Sequence, residues 1–502
     1  MADRIDPTLF TVVGEVETRY QSYNVEMAEV TGGTFWKPYT EAQRAGLEPV
    51  VVTGNPLASH GADEASGFAD NSATMAPLPP VDLSGARIRT LAKALGPVYL
   101  RVSGSWASHT YFDADGSTGG TCPPGYAAVL TREQWDGLID FAKEVDGLLV
   151  TSMANTDGAH DATGAWDPTN SRAFLEYTLR QGLPIAAAEF MNEPDVAPLL
   201  GAPKGYTAAD YGRDVRIFVE MLRSVAPDTL FVGPGSAVGG DRPMLGDGML
   251  SIPTLKTDDL LEQAGIAPAV FTYHHYYGLS ERGGGMAHEP ASEVLTERYL
   301  AKTDQTLDSY RSAHDRFAPG TPYWNTETGD AAMGGNTWAP TWLDVPRYVD
   351  QLGRLAKQGV TAVMHNTLCA SDYALVDNVT QLPRAKYWAA LLWARLMGTT
   401  VYEMGIPLRE GLHAYAHSRR DGDGYALVLI NTSREAVTEV ALPGFAECYQ
   451  LTGDELRGST VRCNGELLQL AEDDTLPTIT PRAVEGTLAL PPVSVTFLTL
   501  PA

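Results

Sequence analysis

Short apolar runs recur along most of the chain and alternate with segments whose apolar residues follow helical spacing. Several runs show no alternation of apolar and polar positions, as expected for strands buried on both faces of a parallel sheet. The predicted strands are 22–27, 98–102, 147–153, 185–191, 229–235, 269–276, 322–327 and 360–368. The predicted helices between them are 83–95, 131–144, 171–181, 208–225, 290–314 and 346–357. Eight such strands alternating with helices predict an α/β fold, a right-handed (β/α)8 TIM barrel.

The pattern changes near residue 396, where helical spacing stops and short alternating strands separated by turn residues begin. These strands are predicted at 413–417, 425–431, 437–442, 467–469 and 493–500. They indicate a C-terminal β-sandwich over 397–502, after a barrel over 19–396. We expect the N-terminal segment 1–18, with an apolar run at 10–16, to add a strand to that sandwich. The segment 54–80 is rich in Gly, Ala, Ser, Asp and Pro and is interpreted as a loop insertion.

Composition fits this interpretation and excludes several classes of protein. The chain has 502 residues, of which 44% are hydrophobic and 20% charged, so a disordered chain, a collagen and a coiled coil are excluded. With 36 basic and 62 acidic residues, the formal net charge is −26. This charge repels phosphate backbones, anionic membranes and highly sulfated polymers. We therefore expect neither a nucleic acid nor a membrane as a partner.

The sequence shows no targeting or metal-binding motif. It has no run of about 18 apolar residues and no visible signal peptide. We expect a cytoplasmic protein or, as the alternative, a secreted or periplasmic one whose leader was removed. Four cysteines without Cys-x-x-Cys spacing predict neither a disulfide framework nor a zinc site. They are interpreted as buried thiols, the alternative being a Cys448–Cys463 disulfide, and we expect no metal and no cofactor.

Two glutamates at the ends of predicted strands are candidates for catalysis. Glu193 follows the fourth strand, between Asn192 and Pro194, and Glu327 ends the seventh. Active sites of such barrels lie at the carboxyl ends of the strands, so the two carboxylates are expected to face each other. Glycoside hydrolysis needs a carboxylic acid for the leaving oxygen and a carboxylate that attacks or activates water. A lone glutamate would be an ion-pair partner, but this pair predicts a glycosidase, with Asn192 binding a sugar hydroxyl.

Four further segments carry a family resemblance. They are Pro-Val-Tyr-Leu-Arg-Val-Ser-Gly at 97–104, Phe-Thr-Tyr-His-His-Tyr-Tyr at 271–277, Glu-Thr-Gly-Asp-Ala-Ala-Met-Gly-Gly at 327–335 and Asp-Tyr-Ala-Leu-Val-Asp at 372–377. Together with Glu193 they resemble, in matching order, glycoside hydrolase family 79. That family contains heparanase, hyaluronan-cleaving enzymes and bacterial and fungal β-glucuronidases. The glutamate pair alone resembles only the catalytic pair of the wider clan A of retaining glycosidases.

The resemblance implies roles for particular residues. Glu193 is similar to the acid/base and Glu327 to the nucleophile of the family. Gly334, Gly335 and Tyr373 match the glycine loop and the tyrosine that bind the uronate carboxylate in the family. Backbone N–H groups in a glycine-rich turn and a tyrosine hydroxyl can hold one anion without a strongly basic pocket.

Other residues near these positions are expected to support the site. Asn336 stands in place of a third glycine and either adds a donor or narrows the pocket. Tyr277 is predicted to orient Glu327, with His275 behind it. The alternative for His274 and His275 is a hydrogen-bonded pair at the rim. Adjacent histidines on a strand point to opposite faces, so this pair does not predict a metal site.

Glu26 and several tryptophans complete the candidate site. Glu26 is expected to bind sugar hydroxyls, the alternative being an ion pair with Arg101. Four indoles offer flat faces on which a sugar ring can stack, and core packing is the alternative for each of them. These tryptophans are Trp106, Trp324, Trp338 and Trp342.

Charge decides among the substrates of the family. Heparan sulfate cleavage calls for clusters of Lys and Arg, whereas the basic residues here are few and scattered. We therefore expect an exo-acting β-D-glucuronidase that removes terminal glucuronic acid from a small-molecule or oligosaccharide β-glucuronide by double displacement. The alternatives are an endo-acting heparanase- or hyaluronidase-like enzyme, a neutral-sugar β-glycosidase and a carbohydrate-binding protein on a decayed barrel. The sequence leaves transglycosylation and the oligomeric state open.

Overall fold

Eight parallel strands close into a barrel in the computed structural model, which describes residues 3–52, 74–238, 254–285 and 287–501. In chain order, the first to the eighth barrel strand are Gln21–Glu26, Val98–Ser103, Gly147–Ser152, Ile185–Glu189, Leu230–Ser236, Val270–Tyr276, Tyr323–Gly329 and Val360–His365. Every residue of the first, second, sixth and seventh strands is buried. The uninterrupted apolar runs reflect this burial on both faces, and the predicted α/β barrel is confirmed.

Helices surround the barrel. Those of the described residues are Met27–Thr31, Glu41–Arg44, Ala86–Ala94, Arg132–Glu144, Thr169–Arg180, Ala208–Val225, Thr257–Ala264, Glu297–Leu300, Lys302–Phe317, Asp344–Lys357 and Ala385–Leu396. The helix predicted to begin at 290 begins only at Glu297, because Thr296 supplies the side-chain cap. In the part of the chain described, none of the helices has both the length and the apolar character that a membrane crossing requires.

Two further sheets lie outside the barrel and form the predicted sandwich. The larger sheet contains, in order, Thr11–Glu15, Met397–Glu403, His413–Arg419, Tyr425–Asn431, Ser494–Leu500, Ala446–Gly453, Val461–Cys463 and Glu466–Leu467, with Arg482–Val484 beside Ala446–Gly453. The smaller sheet contains Asp3–Arg4, Thr438–Ala441 and Thr487–Leu490. Leu427, Leu488 and Leu498 belong to one apolar cluster between these sheets. The N-terminal strand Thr11–Glu15 pairs antiparallel with Met397–Glu403.

A short hairpin lies over the mouth of the barrel, after the first barrel strand. Gly33–Trp36 pairs antiparallel with Met75–Leu78. Of the loop predicted at 54–80, only residues 74–80 belong to this description, and the rest lies outside the described residues. Phe35 of the hairpin packs on Ala28 and Ala370, which flank the first and eighth strands. A second short sheet, Thr110–Asp113 with Ala128–Thr131, follows the second barrel strand.

The four cysteines of the chain are free thiols in the structure. Cys448 and Cys463, the alternative disulfide pair, are buried in the neighbouring strands Ala446–Gly453 and Val461–Cys463. Burial raises the pKa of the Cys463 thiol to about 12, so this side chain stays protonated at neutral pH.

A buried carboxylate joins the barrel to the sandwich. Asp350, on helix Asp344–Lys357, lies 2.6 Å from Nδ1 of His413 and accepts hydrogen bonds from Tyr415 at 2.6 Å and Arg354 at 2.7 Å. Burial alone would lower the pKa of His413, but the adjacent Asp350 carboxylate outweighs burial and raises that pKa to about 9.

We expect this pair to make stability depend on pH. A histidine with a folded-state pKa of about 9 and an unfolded-state pKa of about 6.5 stabilises the fold fully below the lower value. Its contribution is lost as pH rises through the higher value. Urea unfolding at several pH values should show the free energy of unfolding of the wild type falling across this window. His413→Gln should remove that fall, and an equal fall in both proteins would contradict the assignment.

Candidate active site

The two candidate glutamates meet at the carboxyl end of the barrel. Glu193 follows the fourth barrel strand, and its backbone is left-handed, with φ of 46°. Glu327 lies in the seventh strand. One oxygen from each carboxylate and one ring nitrogen of His274 all lie within 4.8 Å of one another. Both carboxylates can therefore reach the same bond of a bound molecule.

Glu327 is held by two hydrogen-bond donors. Its Oε2 accepts from Arg101 at 2.9 Å, and its Oε1 accepts from the Tyr276 hydroxyl at 2.7 Å. Arg101 is buried in the second barrel strand and also donates to Glu189 at 2.8 Å and to Asn192 at 2.8 Å. Charge-assisted bonds of this kind are strong and directional, so they fix the direction of the carboxylate. The arginine thereby links a predicted site residue, Asn192, to the candidate nucleophile.

Glu193 has a different environment, suited to carrying a proton. Burial raises the pKa of its carboxyl to about 7, against the opposing effect of Arg101. His274 Nδ1 lies 3.0 Å from Glu193 Oε1. Because Arg101 donates towards His274 Nε2 at 3.3 Å, the proton of this ring belongs on Nδ1, which then donates to Glu193. Burial lowers the pKa of His274, so the ring is neutral at pH 7.

Strand alternation decides which aromatic and histidine side chains face the site. His274 and Tyr276 point into the barrel, whereas His275 and Tyr277 point outward to helix Lys302–Phe317. There the Tyr277 hydroxyl and His275 Nδ1 contact threonine hydroxyls at 2.6 and 2.9 Å. The prediction that Tyr277 orients the nucleophile, with His275 behind it, is therefore wrong by one residue in both cases. Residues i and i+2 share a face of a strand, so the two assignments shift together.

The neighbouring tyrosines provide a matched test of this correction. Tyr276→Phe removes a hydrogen bond to a charged carboxylate, which is worth about 1.5–3 kcal/mol, so kcat should fall about 10- to 150-fold. Tyr277→Phe removes only the bond to helix Lys302–Phe317 and should leave kcat unchanged within about twofold. Steady-state kinetics on one aryl glycoside, with thermal denaturation of both variants, measures the difference. The opposite order of effects would restore the sequence-based assignment.

Asn366, which the sequence reasoning did not select, connects three candidate side chains. Its Nδ2 lies 3.0 Å from Glu26 Oε1, 3.0 Å from the Tyr276 hydroxyl and 3.1 Å from the Tyr373 hydroxyl. Because the Tyr373 oxygen accepts from Asn366, its own proton is directed elsewhere and can be donated to a ligand. In the sequence, the only indication that Asn366 belongs to the site is its position just after the eighth strand.

Glu26 is buried at the end of the first barrel strand. Burial, followed by the charge of Glu327, raises the pKa of Glu26 well above its usual range. A protonated carboxyl can both donate and accept, which suits contact with sugar hydroxyls. The alternative partner, Arg101, directs its hydrogen bonds to other residues of the site. A side chain at Gly104 would overlap Glu26, since an added Cβ would lie 1.5 Å from Oε2.

Some backbone N–H groups of the glycine loop after the seventh strand already donate to acceptors within the protein. The N–H of Gly335 donates to a carbonyl of the loop at 3.2 Å, and the N–H of Asn336 donates to the Asp330 carboxylate at 2.8 Å. Asn336 therefore adds no backbone donor to the predicted anion site. Among the described residues, no acceptor lies against the N–H of Gly334. Gly334, with φ of 81°, keeps the loop close to Trp36, because an added Cβ would lie 2.6 Å from Cγ of that indole.

Of the four candidate tryptophans, Trp106 is the one at the mouth of the barrel. It is half-buried, and its ring centroid lies 4.5 Å from that of Phe35 and 6.2 Å from that of Trp36. The other three candidates are fully buried and pack in the interior, which leaves no face for a sugar. They are Trp324, Trp338 and Trp342.

One group among the described residues has the geometry of a metal site, namely Glu193, His274 and Glu327. Arg101 places a fixed positive charge 2.9 Å from Glu327 and 3.3 Å from His274. A cation bound to this group would be repelled by the guanidinium. The Tyr276 hydroxyl already occupies the other oxygen of Glu327. These contacts fit a proton-transfer site better than a metal site.

Comparison with known proteins gives matches along most of the chain. The family model "Glycosyl hydrolase family 79, N-terminal domain" matches residues 66–353. Heparanase-like protein 1 of Arabidopsis thaliana is 25% identical, over 84% of this chain and 85% of that protein. Baicalin-beta-D-glucuronidase of Scutellaria baicalensis is 24% identical, over 84% of each protein. A solved 4-O-alpha-L-rhamnosyl-beta-D-glucuronidase from Fusarium oxysporum 12S has a TM-score of 0.64 at 12% identity, over 99% of each chain, which is a likeness of fold.

Proposed function

The chain belongs to glycosyl hydrolase family 79, and from this premise we propose that it is a retaining, exo-acting β-D-glucuronidase. The observation that carries the proposal is the facing pair of Glu193 and Glu327, with carboxylate oxygens within 4.8 Å. Retaining glycosidases hold their carboxyl groups roughly 5–5.5 Å apart, and inverting ones about 6.5–9.5 Å. The short spacing supports double displacement, because it leaves no room for a water molecule behind the sugar.

In the first step, Glu327 attacks the anomeric carbon while the bond from that carbon to the glycosidic oxygen breaks. Glu193 gives its proton to this oxygen, so the leaving group departs as a neutral alcohol. Arg101 and Tyr276 hold Glu327 in its direction of attack, at 2.9 and 2.7 Å. Attachment of the sugar removes the negative charge of Glu327, and the pKa of Glu193 falls accordingly.

In the second step, ionised Glu193 takes a proton from water, and the water oxygen attacks the anomeric carbon. The bond to Glu327 breaks, and glucuronic acid leaves with its original configuration. Proton NMR during early turnover should therefore show the β anomer of the product before mutarotation. The α anomer as first product would contradict double displacement.

The uronate specificity is proposed from the donors beside the catalytic pair. The Tyr373 hydroxyl and the N–H of Gly334 are available to a carboxylate, and Gly335 packs directly against Tyr373, with which its added Cβ would collide at 2.9 Å. Protonated Glu26 and the side-chain amide of Asn192 are proposed to bind ring hydroxyls. The name of the Scutellaria relative, a β-D-glucuronidase, supports the same substrate class.

Exo action is proposed from the hairpin over the mouth. Trp36 lies against Gly334, after the seventh strand. Its hairpin partner Met75 forms an apolar cluster with Leu200, after the fourth strand. The hairpin thus spans from the nucleophile side of the mouth to the acid side and narrows the cleft. A long polymer needs an open groove, whereas a terminal sugar needs only a pocket. The net charge of −26 also disfavours a sulfated polymer.

A neutral-sugar β-glycosidase is the second candidate, and one observation favours it. Two of the three N–H groups in the glycine loop, those of Gly335 and Asn336, already have acceptors within the protein. A carboxylate would therefore meet fewer backbone donors than the family resemblance implies. The catalytic pair is unaffected by this difference, so only the sugar preference is at stake.

Kinetics on matched substrates distinguishes the candidates. We expect purified protein to hydrolyse 4-nitrophenyl β-D-glucuronide with kcat/KM about 100-fold or more above that for 4-nitrophenyl β-D-glucoside. The glucoside has no carboxylate, so it cannot form the hydrogen bonds that a charged group would accept from the protein. Glu327→Gln serves as the inactive control. Turnover of the glucoside alone would favour the neutral-sugar enzyme. If neither is hydrolysed, release of fragments from heparan sulfate or hyaluronan would indicate endo action, and binding without turnover would indicate a carbohydrate-binding protein.

A further inference from the structure

A buried arginine after the sixth barrel strand has no part in the two chemical steps. Arg282 lies in the turn that follows this strand, and it is only 2% exposed. Its Nε and Nη2 donate to the Lys37 carbonyl, at 3.0 and 2.6 Å. Its Nη1 donates to the carbonyls of Met333 and Gly335, at 3.0 and 2.8 Å, and Nη2 also donates to Asp372 at 2.7 Å. A guanidinium has five N–H donors, so none is left for a ligand.

Two of these bonds hold the glycine loop in an unfavourable backbone conformation. Met333, Gly334 and Gly335 are all left-handed, with φ of 65°, 81° and 82°. Methionine rarely adopts this conformation, which persists only where neighbouring contacts impose it. Besides Arg282, the Ser280 hydroxyl donates to the Met333 carbonyl, at 2.9 Å. The turn after the sixth strand thus helps to impose the shape of the loop.

The bonds to Met333 set the direction of one proposed carboxylate donor, the N–H of Gly334. This N–H belongs to the same peptide unit as the Met333 carbonyl, and the two groups of a trans peptide point in opposite directions. The carbonyl is directed at Arg282 and Ser280, so the Gly334 N–H is directed away from them. Loss of the arginine would let this peptide unit rotate and would misdirect the donor.

The same guanidinium also holds the residue that precedes the second proposed donor, Tyr373. Asp372 accepts from Arg282 through Oδ2 and from Arg44 through Oδ1, at 2.7 and 2.8 Å. The N–H of Asp372 donates to the Gly334 carbonyl at 3.2 Å, which joins the two loops directly. Burial raises the pKa of Tyr373 well above its usual range, so the phenol remains a donor at neutral pH. One buried side chain thereby connects both donors proposed for the glucuronate carboxylate.

We propose that Arg282 is a positioning residue for uronate recognition, which holds the Gly334 N–H and the Tyr373 hydroxyl in the arrangement that a glucuronate carboxylate needs. This role rests on the proposed β-glucuronidase activity and names a residue on which its sugar preference depends. Arg282 does not touch the substrate, because its donors are all used within the protein. A neutral sugar has no carboxylate to bind, so its hydrolysis does not depend on this arrangement.

The test measures kcat and KM for 4-nitrophenyl β-D-glucuronide and 4-nitrophenyl β-D-glucoside in the wild type and in Arg282→Met. The variant should lower the glucuronide-to-glucoside ratio of kcat/KM about tenfold or more, the effect of losing a hydrogen bond to a charged group. The fall should come through KM for the glucuronide, since the carboxylate is bound equally in the ground state and the transition state. An equal fall for both glycosides would indicate a merely structural role. That result, or an unchanged ratio, would overturn the proposal.

Other variants separate positioning from charge and from general damage. Arg282→Lys keeps the positive charge but replaces the planar fork by one ammonium group, so most of the preference should be lost. A wild-type ratio in this variant would show that charge alone suffices and would overturn positioning. Arg354→Met removes another buried arginine, which bonds Asp350 at the junction with the sandwich, and should leave the ratio unchanged. If Arg282→Met does not fold, Ser280→Ala decides, because it removes the other donor to the Met333 carbonyl. Its ratio should fall about two- to tenfold, and an unchanged ratio would contradict the proposal.

The wild type tests the proposed function, and the variants test the role of Arg282. A wild type that does not prefer the glucuronide would refute the uronate site and, with it, the positioning role. A preference that survives in Arg282→Met would overturn the positioning role alone. If neither glycoside is hydrolysed, calorimetric binding of D-glucuronate is the readout. Affinity at least about tenfold weaker in Arg282→Met would support the role, and equal affinity, or no binding to the wild type, would overturn it.

Discussion

Glu327→Gln should abolish turnover of an aryl β-D-glucuronide, lowering kcat by about 10⁴-fold or more. The amide oxygen carries no charge and is a poor nucleophile, so the covalent intermediate does not form. The substitution keeps the shape of the side chain, and the Tyr276 hydroxyl, 2.7 Å from Oε1 in the wild type, can still donate to the amide oxygen at that position. The amide NH2 at the Oε2 position no longer accepts from Arg101, but that arginine keeps its bonds to Glu189 and Asn192. The loss should therefore reflect chemistry and not collapse of the site.

Two measurements separate these explanations. Thermal denaturation and calorimetric binding of the unhydrolysed substrate should show that Glu327→Gln is folded and still binds. The exposed Glu220, on helix Ala208–Val225, supplies the control, because Glu220→Gln loses the same charge outside the site and should keep full activity. A variant that folds and binds the substrate but does not turn it over has lost the chemical step. A variant that neither folds nor binds would instead show that the substitution disrupts the site.

A trapping experiment identifies the nucleophile directly. A 2-deoxy-2-fluoro glucuronide with a good leaving group forms the covalent intermediate and then hydrolyses slowly, because fluorine destabilises the positively charged transition state of both steps. Mass spectrometry of the digested protein should find the sugar on the peptide that contains Glu327. Attachment at Glu193, or release of an inverted product without any adduct, would contradict the proposed roles.

Burial pattern made the barrel predictable from the sequence. Runs such as those of the second and sixth strands, Val98–Ser103 and Val270–Tyr276, are buried along their whole length. Such uninterrupted runs can be recognised in the sequence without knowing which strands and helices pack against them. Met397–Glu403 and Ala446–Gly453 were missed, because polar residues interrupt both strands and no strict alternation marks their buried face.

The facing of the sixth strand could not be predicted. The run His274, His275, Tyr276 and Tyr277 has the same residue type at each pair of adjacent positions, so its sequence contains no sign of which side chains face the barrel axis. The phase of a strand is set by register with its neighbours, and a shift of one residue exchanges the two faces. The prediction that a histidine and a tyrosine two residues apart face the site is right, but it chose the pair on the wrong face of the strand.

The remaining site residues depend on contacts between distant parts of the chain. Glu189 is buried and bonds Arg101, from which it is separated by 88 positions. Asn366 bonds Glu26 across 340 positions. Trp36 lies against a loop that begins after the seventh strand. Single positions of this kind have no local pattern, whereas Glu193 and Glu327 follow strands that the pattern already predicts.

The pH dependence of kcat/KM should report the proton carried by Glu193. Its pKa is about 7 because burial disfavours the charged form. The acid must be protonated to give its proton to the leaving oxygen, so activity is present below this pKa and lost as pH rises through it. Above that point kcat/KM should fall about tenfold for each pH unit.

Glu193→Gln should remove this alkaline limb, because the amide has no proton to lose over that range. Its effect should also depend on the leaving group. A phenol of low pKa departs without protonation, so the rate of the first step should fall only modestly for such a substrate. For a substrate whose leaving group has a high pKa, the rate of that step should fall about 10²–10⁴-fold. The same dependence is not expected for Glu327→Gln, which blocks attack whatever the leaving group is.

Added azide distinguishes the two glutamates once more, in the alanine variants. With Glu193→Ala, azide can attack the sugar on Glu327 without needing a base, so glucuronosyl azide should form with the β configuration. With Glu327→Ala, azide can enter the space of the lost carboxylate and displace the leaving group directly, so the α-configured azide should form. Glu193 remains available to protonate the leaving oxygen in that case. If both variants gave the same anomer, the two carboxylates could not hold the separate roles that their different environments support.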